Sequence, residues 1–305
     1  MATAYNGTIE TGGAALEYDE RGPDDGEVIL LIMGIGAQLT AWREGFCNQL
    51  ADEGYRVVRF DNRDAGLSSR TPGPAPTMVE LAALLKPGTK RRPVPYTFSD
   101  MAGDAMAVLD AVGVRQAHIV GASLGGMIAQ TVAIEHRERV LSLTSIMSKP
   151  GALTVGLPTL RVLANTVRNR PAPPDDAIEF ELTRAKMIAG PLFDPEAMRG
   201  YIGESIDRAS HPNGILFQAA AMFDSGDRTP GLRKLDVPTV VIHGRADPLV
   251  KLSGGEATAK AIPGAKLVVF NDMGHDLPVP LWPAITGEIA AHARHASRHR
   301  ATARR

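Results

Sequence analysis

The chain is poor in cysteine, carries no surplus of charge of either sign and has no long apolar run. Its single cysteine, Cys47, excludes an intramolecular disulfide, so nothing in the chain demands an oxidising compartment. That residue falls in an expected amphipathic helix and reads as a small buried hydrophobe. A formal net charge of −1 over 305 residues gives no electrostatic footprint for nucleic acid. The longest apolar stretch, 28–33, is far too short to cross a bilayer. Residues 1–13 carry neither a basic nor an apolar leader segment, so no signal peptide is expected and a cytoplasmic location is the default. No His/Cys group has metal-ligand spacing, no glycine-rich loop fits a nucleotide, and no internal repeat is visible. Neither metal nor cofactor is expected.

What is present is ample core material, with 44% of residues hydrophobic and 22% charged, enough for one large α/β domain carrying an insertion. Segments 8–11 and 14–19 read as a hairpin turned at Gly12-Gly13. Residues 28–33 form a continuous apolar strand of the kind buried on both faces of a parallel sheet. A helix over 42–53 and a strand over 55–60 follow, then a proline-rich excursion over 71–96 with a short helix at 78–85 and the basic trio Lys90-Arg91-Arg92. That trio reads as a solvated charge run. A helix from Ser99, its expected N-cap, to about Val112 leads into strands over 117–121 and 140–147. Between 149 and 229 no strand-like run occurs, and helices are expected at about 158–169, 175–189, 195–209 and 213–223. The β/α rhythm returns with strands over 237–242 and 266–270, helices from about Gly255 and Leu281, and a basic tail from Arg294 expected to fray. The recurrence of β, α, β with short joints predicts a mostly parallel sheet covered by helices. Residues 1–148 and 230–305 would form this core, and 149–229 a helical cap.

Chemistry gathers at Gly121-Ala122-Ser123-Leu124-Gly125, a G-x-S-x-G between a strand and a helix. A chain reversing at one serine holds that residue in a strained conformation, its hydroxyl beside the positive end of the helix. The flanking glycines are needed because side chains there would meet the neighbouring strand and helix. A serine hydroxyl needs a base to take its proton, and the base needs a partner fixing its tautomer. After the strand 237–242 comes His243-Gly244-Arg245-Ala246-Asp247-Pro248, and after the strand 266–270 comes Asn271-Asp272-Met273-Gly274-His275. The order Ser123, Asp247, His275, each at the carboxyl end of a strand, suits a nucleophile, an orienting acid and a base. Asp272 is a rival acid nearer His275 in sequence, but adjacency within a loop does not bring a carboxylate to Nδ1, so Asp247 is preferred. His118, inside a strand, and His243, at a strand end, read as structural hydrogen-bonded histidines.

These residues, together with Leu31-Ile32-Met33-Gly34-Ile35-Gly36 and Asp61-Asn62-Arg63-Asp64-Ala65-Gly66-Leu67-Ser68, resemble the α/β-hydrolase fold family. Within it the chain is similar to the bacterial serine-esterase branch of aclacinomycin methylesterase and mycobacterial lipase/esterases. The resemblance implies an eight-stranded, mostly parallel sheet with an inserted helical cap, and the roles just given for Ser123, Asp247 and His275. An oxyanion hole needs two backbone amides. One is that of Leu124, after the nucleophile, and by resemblance the other is that of Ile35. Gly34 and Gly36 would let this loop approach the substrate closely. The chain departs from the family pattern at Met33, where histidine is usual, and at Asp64, where glycine is usual. The 61–64 turn is expected to tie a loop beside the site through Asp61 and Arg63.

The expected activity is carboxylic-ester hydrolysis through an acyl-enzyme, without cofactor. The alternatives are carbon–carbon bond hydrolysis of a ring-cleavage product, cofactor-free perhydrolysis, or a non-catalytic small-molecule receptor. Serine at position 123 argues against dehalogenase and epoxide hydrolase chemistry, for which aspartate stands at the elbow. The expected partner is a small-molecule ester, with no nucleic acid and no stable membrane insertion, and homodimerisation stays open. Which ester is accepted is not legible, because specificity would lie in the insertion.

Overall fold

A computed structural model of the protein describes residues 5–84, 93–168, 176–211 and 213–303. The hairpin forms as β1 (Tyr5–Glu10) and β2 (Ala15–Arg21), followed by β3 (Val28–Ile32), α1 (Glu44–Asp52) and β4 (Arg56–Phe60). Next come α2 (Met78–Leu84), α3 (Phe98–Ala111), β5 (Ala117–Ala122), α4 (Leu124–Glu135) and β6 (Val140–Ile146). Four helices then run without a strand: α5 (Leu160–Arg168), α6 (Ala177–Ile188), α7 (Pro195–Arg208) and α8 (Gly214–Asp224). The chain closes through the short α9 (Thr229–Leu232), β7 (Thr239–Gly244), α10 (Ser253–Ala261), β8 (Lys266–Phe270) and α11 (Trp282–Ala303).

The eight strands form one sheet in the order β1-β2-β4-β3-β5-β6-β7-β8. Pairings β1–β2 and β2–β4 are antiparallel and the rest are parallel. The period-2 alternation of a strand explains why 28–33 is apolar throughout. Val28, Leu30 and Ile32 pack with Phe98, Met101 and Ile128 of α3 and α4 on one face. Ile29 and Leu31 pack with Phe46, Leu50, Ile285 and Ile289 of α1 and α11 on the other. Cys47 is fully buried in that second layer, as expected. Among the described residues, no helix is long and apolar enough to cross a membrane.

Three local expectations are corrected. Helix α3 is capped by Thr97, not Ser99: Thr97 Oγ1 accepts from the Asp100 amide while Asp100 accepts from the Thr97 amide, a reciprocal box Ser99 cannot make with its own N3 residue. Ser99 Oγ instead donates to Glu135. Helix α1 begins at Glu44 because Trp42, expected inside it, is fully buried in the preceding turn. The basic tail stays helical to Ala303, held by Arg294 on Glu53, Ser297 on Glu27 and the buried Ala296. Lys90-Arg91-Arg92 lie outside the described residues.

Candidate active site

The sharp turn at Ser123 follows from packing. Strand β5 ends at Ala122, and Ser123 turns into α4 at φ 55° and ψ −119°, a conformation an L-residue holds only when its surroundings impose it. A Cβ at Gly121 would collide with the Gly125 carbonyl, and one at Gly125 with the Ile32 carbonyl of β3. The Ser123 amide donates to the Ile146 carbonyl at 2.9 Å, tying the elbow to β6. Leu124 opens α4, so its amide has no acceptor within the helix and points from the positive end.

Asp247 and His275 come to this serine from the next loops along the sheet. The Asp247 side chain is fully buried, its Oδ1 accepting from the amides of Leu249 (2.9 Å) and Val250 (2.8 Å). Its Oδ2 lies 2.7 Å from His275 Nδ1, and His275 Nε2 lies 2.9 Å from Ser123 Oγ. A carboxylate only accepts, so Nδ1 carries the proton and Nε2 is left to accept from the hydroxyl. The backbone of His275 is itself anchored, its amide donating to the Ile188 carbonyl at 2.8 Å. Asp272, the rival acid, is exposed. The neighbouring Asp276 accepts from the amides of Gly190 and Gly274, and burial pushes its carboxyl above the usual range.

His243 is structural, and its place is informative. Its Nε2 donates to the Val250 carbonyl at 2.7 Å, bracing the turn whose amides grip Asp247. Burial holds its imidazole below the ordinary value, which keeps a second positive charge away from the acid. His118 bonds Ser142 Oγ at 2.8 Å and lies 3.4 Å from Glu27, near the start of β5 and so at the opposite end of that strand from Ser123.

The loop after β3 crosses the elbow. A Cβ at Gly34 would lie 3.2 Å from that of Ser123 and 3.7 Å from its Oγ, so the backbone passes directly over the serine hydroxyl. Ile35 follows, and Gly36 adopts φ +69° with its amide turned to Gln218 Oε1 at 2.7 Å. Met33, in the position of the usual histidine, contributes its carbonyl, which accepts from Asn62 Nδ2 at 2.9 Å.

The 61–64 turn behaves as expected. Asp61 accepts from the Leu39 amide (2.6 Å), the Leu67 amide (2.9 Å) and Arg208 Nη1 (2.8 Å), while Arg63 forks onto Asp104. Asp64 tolerates φ 64°, where glycine is usual, because its carboxylate accepts from the Thr71 amide and hydroxyl at 2.6 and 2.7 Å. Three residues near the site escaped sequence reasoning: Asn62, Arg208 and Gln218. Asn62 lay within the 61–68 motif without a role of its own, and Gln218 stood out as the one polar side chain between Gly214 and Phe223.

The model of the alpha/beta hydrolase fold family matches residues 27–279. The chain belongs to that family. Among curated relatives it is 28% identical to the rhodomycin D methylesterase DnrP of Streptomyces peucetius, over 88% of this chain and 91% of that one. It is 27% identical to a 2-hydroxy-6-oxononadienedioate/2-hydroxy-6-oxononatrienedioate hydrolase of a Pseudomonas species, over 86% and 85%. Among solved structures of the family, a hydrolase from Pseudomonas aeruginosa PA01 superposes with a TM-score of 0.69 at 25% identity, covering 94% of this chain and 97% of that one. As in that fold, the sheet is eight-stranded and mostly parallel, and the elbow sits at the carboxyl end of its strands.

Proposed function

We propose that the protein is a serine carboxylic-ester hydrolase with Ser123 as nucleophile, His275 as general base and Asp247 as orienting acid. His275 Nε2 takes the hydroxyl proton as Ser123 Oγ attacks the ester carbonyl carbon. The tetrahedral oxyanion rests on the amides of Leu124 and Ile35, whose dipoles meet charge as it develops. On collapse the carbon–oxygen bond to the alcohol breaks, and the imidazolium returns its proton to the leaving alkoxide. Water, deprotonated by the same imidazole, then attacks the acyl-enzyme and releases the acid. The observation that carries this reading is the continuous chain Ser123 Oγ, His275 Nε2, His275 Nδ1, Asp247 Oδ2, with links of 2.9 and 2.7 Å.

Residues 149–229 act as a helical cap over this centre. Support comes from the bonds that α7 and α8 send into the loops beside Ser123. Methyl esters are the first substrate class to try, given the methylesterase among the relatives. Hydrolysis of p-nitrophenyl and methyl esters by native protein and by Ser123→Ala tests the reading. Turnover should fall about 10⁴- to 10⁶-fold in the variant with folding unchanged. Native-like hydrolysis by Ser123→Ala would overturn it. Carbon–carbon hydrolysis is the second reading, favoured by the 2-hydroxy-6-oxononadienedioate/2-hydroxy-6-oxononatrienedioate hydrolase among the relatives. A vinylogous 2-hydroxy-6-oxo-dienoate consumed faster than any ester would select it.

A further inference from the structure

The peptide unit carrying the Ile35 N–H is flanked by two others, each clamped by a side chain. Upstream, the Met33–Gly34 unit is held through the Met33 carbonyl by Asn62. Downstream, the Ile35–Gly36 unit is held through the Gly36 N–H by Gln218. With glycine at both 34 and 36 this segment has unusual backbone freedom, so its conformation depends on such clamps. Gln218 lies 182 residues from Gly36, on helix α8 of the insertion, and is completely buried. Its neighbours Phe217, Ala220 and Ala221 are apolar and buried. An amide is costly in such surroundings unless its bonding capacity is used. Here both ends are used: Oε1 accepts from the Gly36 amide, and Nε2 donates 2.8 Å to the Arg63 carbonyl. A backbone N–H can only donate and a carbonyl only accept, so the partners fix which way the glutamine amide points.

We propose that Gln218 is a positioning residue of the reaction: from the insertion it sets the Ile35 N–H against the developing oxyanion, so that the cap supplies part of the catalytic geometry. This rests on the ester-hydrolase reading above. It distinguishes α8 from a mere wall of the substrate pocket, because the clamp acts on the transition state and leaves ground-state binding alone.

Gln218→Met removes both bonds at similar volume. Its kcat should fall about 10- to 100-fold, the range expected when an oxyanion donor is displaced, with KM changed less than about twofold. Affinity for a trifluoromethyl ketone, whose adduct places an oxyanion in the same hole, should fall by the same factor as kcat, and affinity for the carboxylic acid product should not. Gln218→Glu is the conservative variant. When protonated, its carboxyl repeats both bonds, and when ionised it repels the Arg63 carbonyl. Relative to native protein its kcat should therefore recover as pH falls, with Arg63, Asp104 and Asp64 as the charged groups around it. Native kcat and ketone affinity in Gln218→Met, or a rise in KM alone, would overturn the inference. If Gln218→Met fails to fold, a pH-independent ratio for Gln218→Glu would do so instead. Native protein that hydrolyses no ester would overturn the ester reading and this inference with it, whereas active native protein with an indifferent Gln218→Met overturns the inference alone.

Discussion

In the proposed mechanism Ser123 and Ile35 serve the same reacting atoms, yet they are held in opposite ways. The serine is held by neighbours in sequence and by backbone against backbone: Gly121 on Gly125, Gly125 on Ile32, the Ser123 amide on Ile146. Ile35 sits in a loop held by side chains from far along the chain, with Asn62 at Met33 and Gln218 at Gly36. The same loop is held again at Gln38, whose amide donates to the carbonyls of Ser205 and Ala209 at the end of α7. Steric closure leaves Ser123 no alternative conformation, whereas polar clamps from the insertion leave Ile35, the proposed second oxyanion donor, dependent on α7 and α8. On the proposed reading the site is rigid on one side and tied to the 149–229 insertion on the other.

Four substitutions test that contrast, taken from the largest expected effect to the smallest. Asp247→Asn leaves the packed side of the site in place but lets His275 take the wrong tautomer, and kcat should fall about 10⁴-fold. Single-turnover kinetics with thermal melting checks this, and a small kinetic effect would mean that His275 does not depend on Asp247. Gly125→Ala drives a methyl group into the Ile32 carbonyl, with an expected loss of about 3 kcal/mol in urea unfolding. A native midpoint would show the elbow to be looser than its packing implies.

On the clamped side, Arg208→Met strips the buried Asp61 of its counter-charge. Breaking a buried pair costs about 3–5 kcal/mol, and with Arg208 about one-fifth exposed we expect about 2. The deficit should depend on pH. Burial already raises the Asp61 carboxyl above its usual value, despite the opposing pull of Leu39, Arg208 and Leu67. An acid whose folded pKa exceeds its unfolded one contributes less stability as pH rises between the two values. Losing Arg208 widens that interval, so the variant should trail native protein more at pH 8 than at pH 5. A constant gap would exclude Asp61 as the cause. Asn62→Leu removes one neutral hydrogen bond to Met33 and should cost about 1 kcal/mol. If it also lowers kcat while leaving KM alone, the upstream clamp matters to turnover as well.

The same contrast explains what could be read before any coordinates. The elbow was legible because its causes are contiguous: a strand, two glycines, a serine and a helix within Ala117–Glu135. Asp247 and His275 were legible because each follows an apolar strand by three to five residues. Gln218 was not, because its meaning resides in Gly36 and Arg63, 182 and 155 residues away. At the start of α3 the expected cap was Ser99, whereas Asp100, correctly spaced only from Thr97, makes Thr97 the cap. Along the tail, arginine and histidine suggested solvent, while Glu27 and Glu53 supply partners that composition does not reveal.

Everything rests on an imidazole that activates one hydroxyl, and labelling by a fluorophosphonate followed by intact-protein and peptide mass spectrometry tests it most directly. The expected result is one adduct per chain, on Ser123, absent from Ser123→Ala and formed far more slowly in His275→Ala. An adduct on another residue, or labelling of His275→Ala at the native rate, would contradict it.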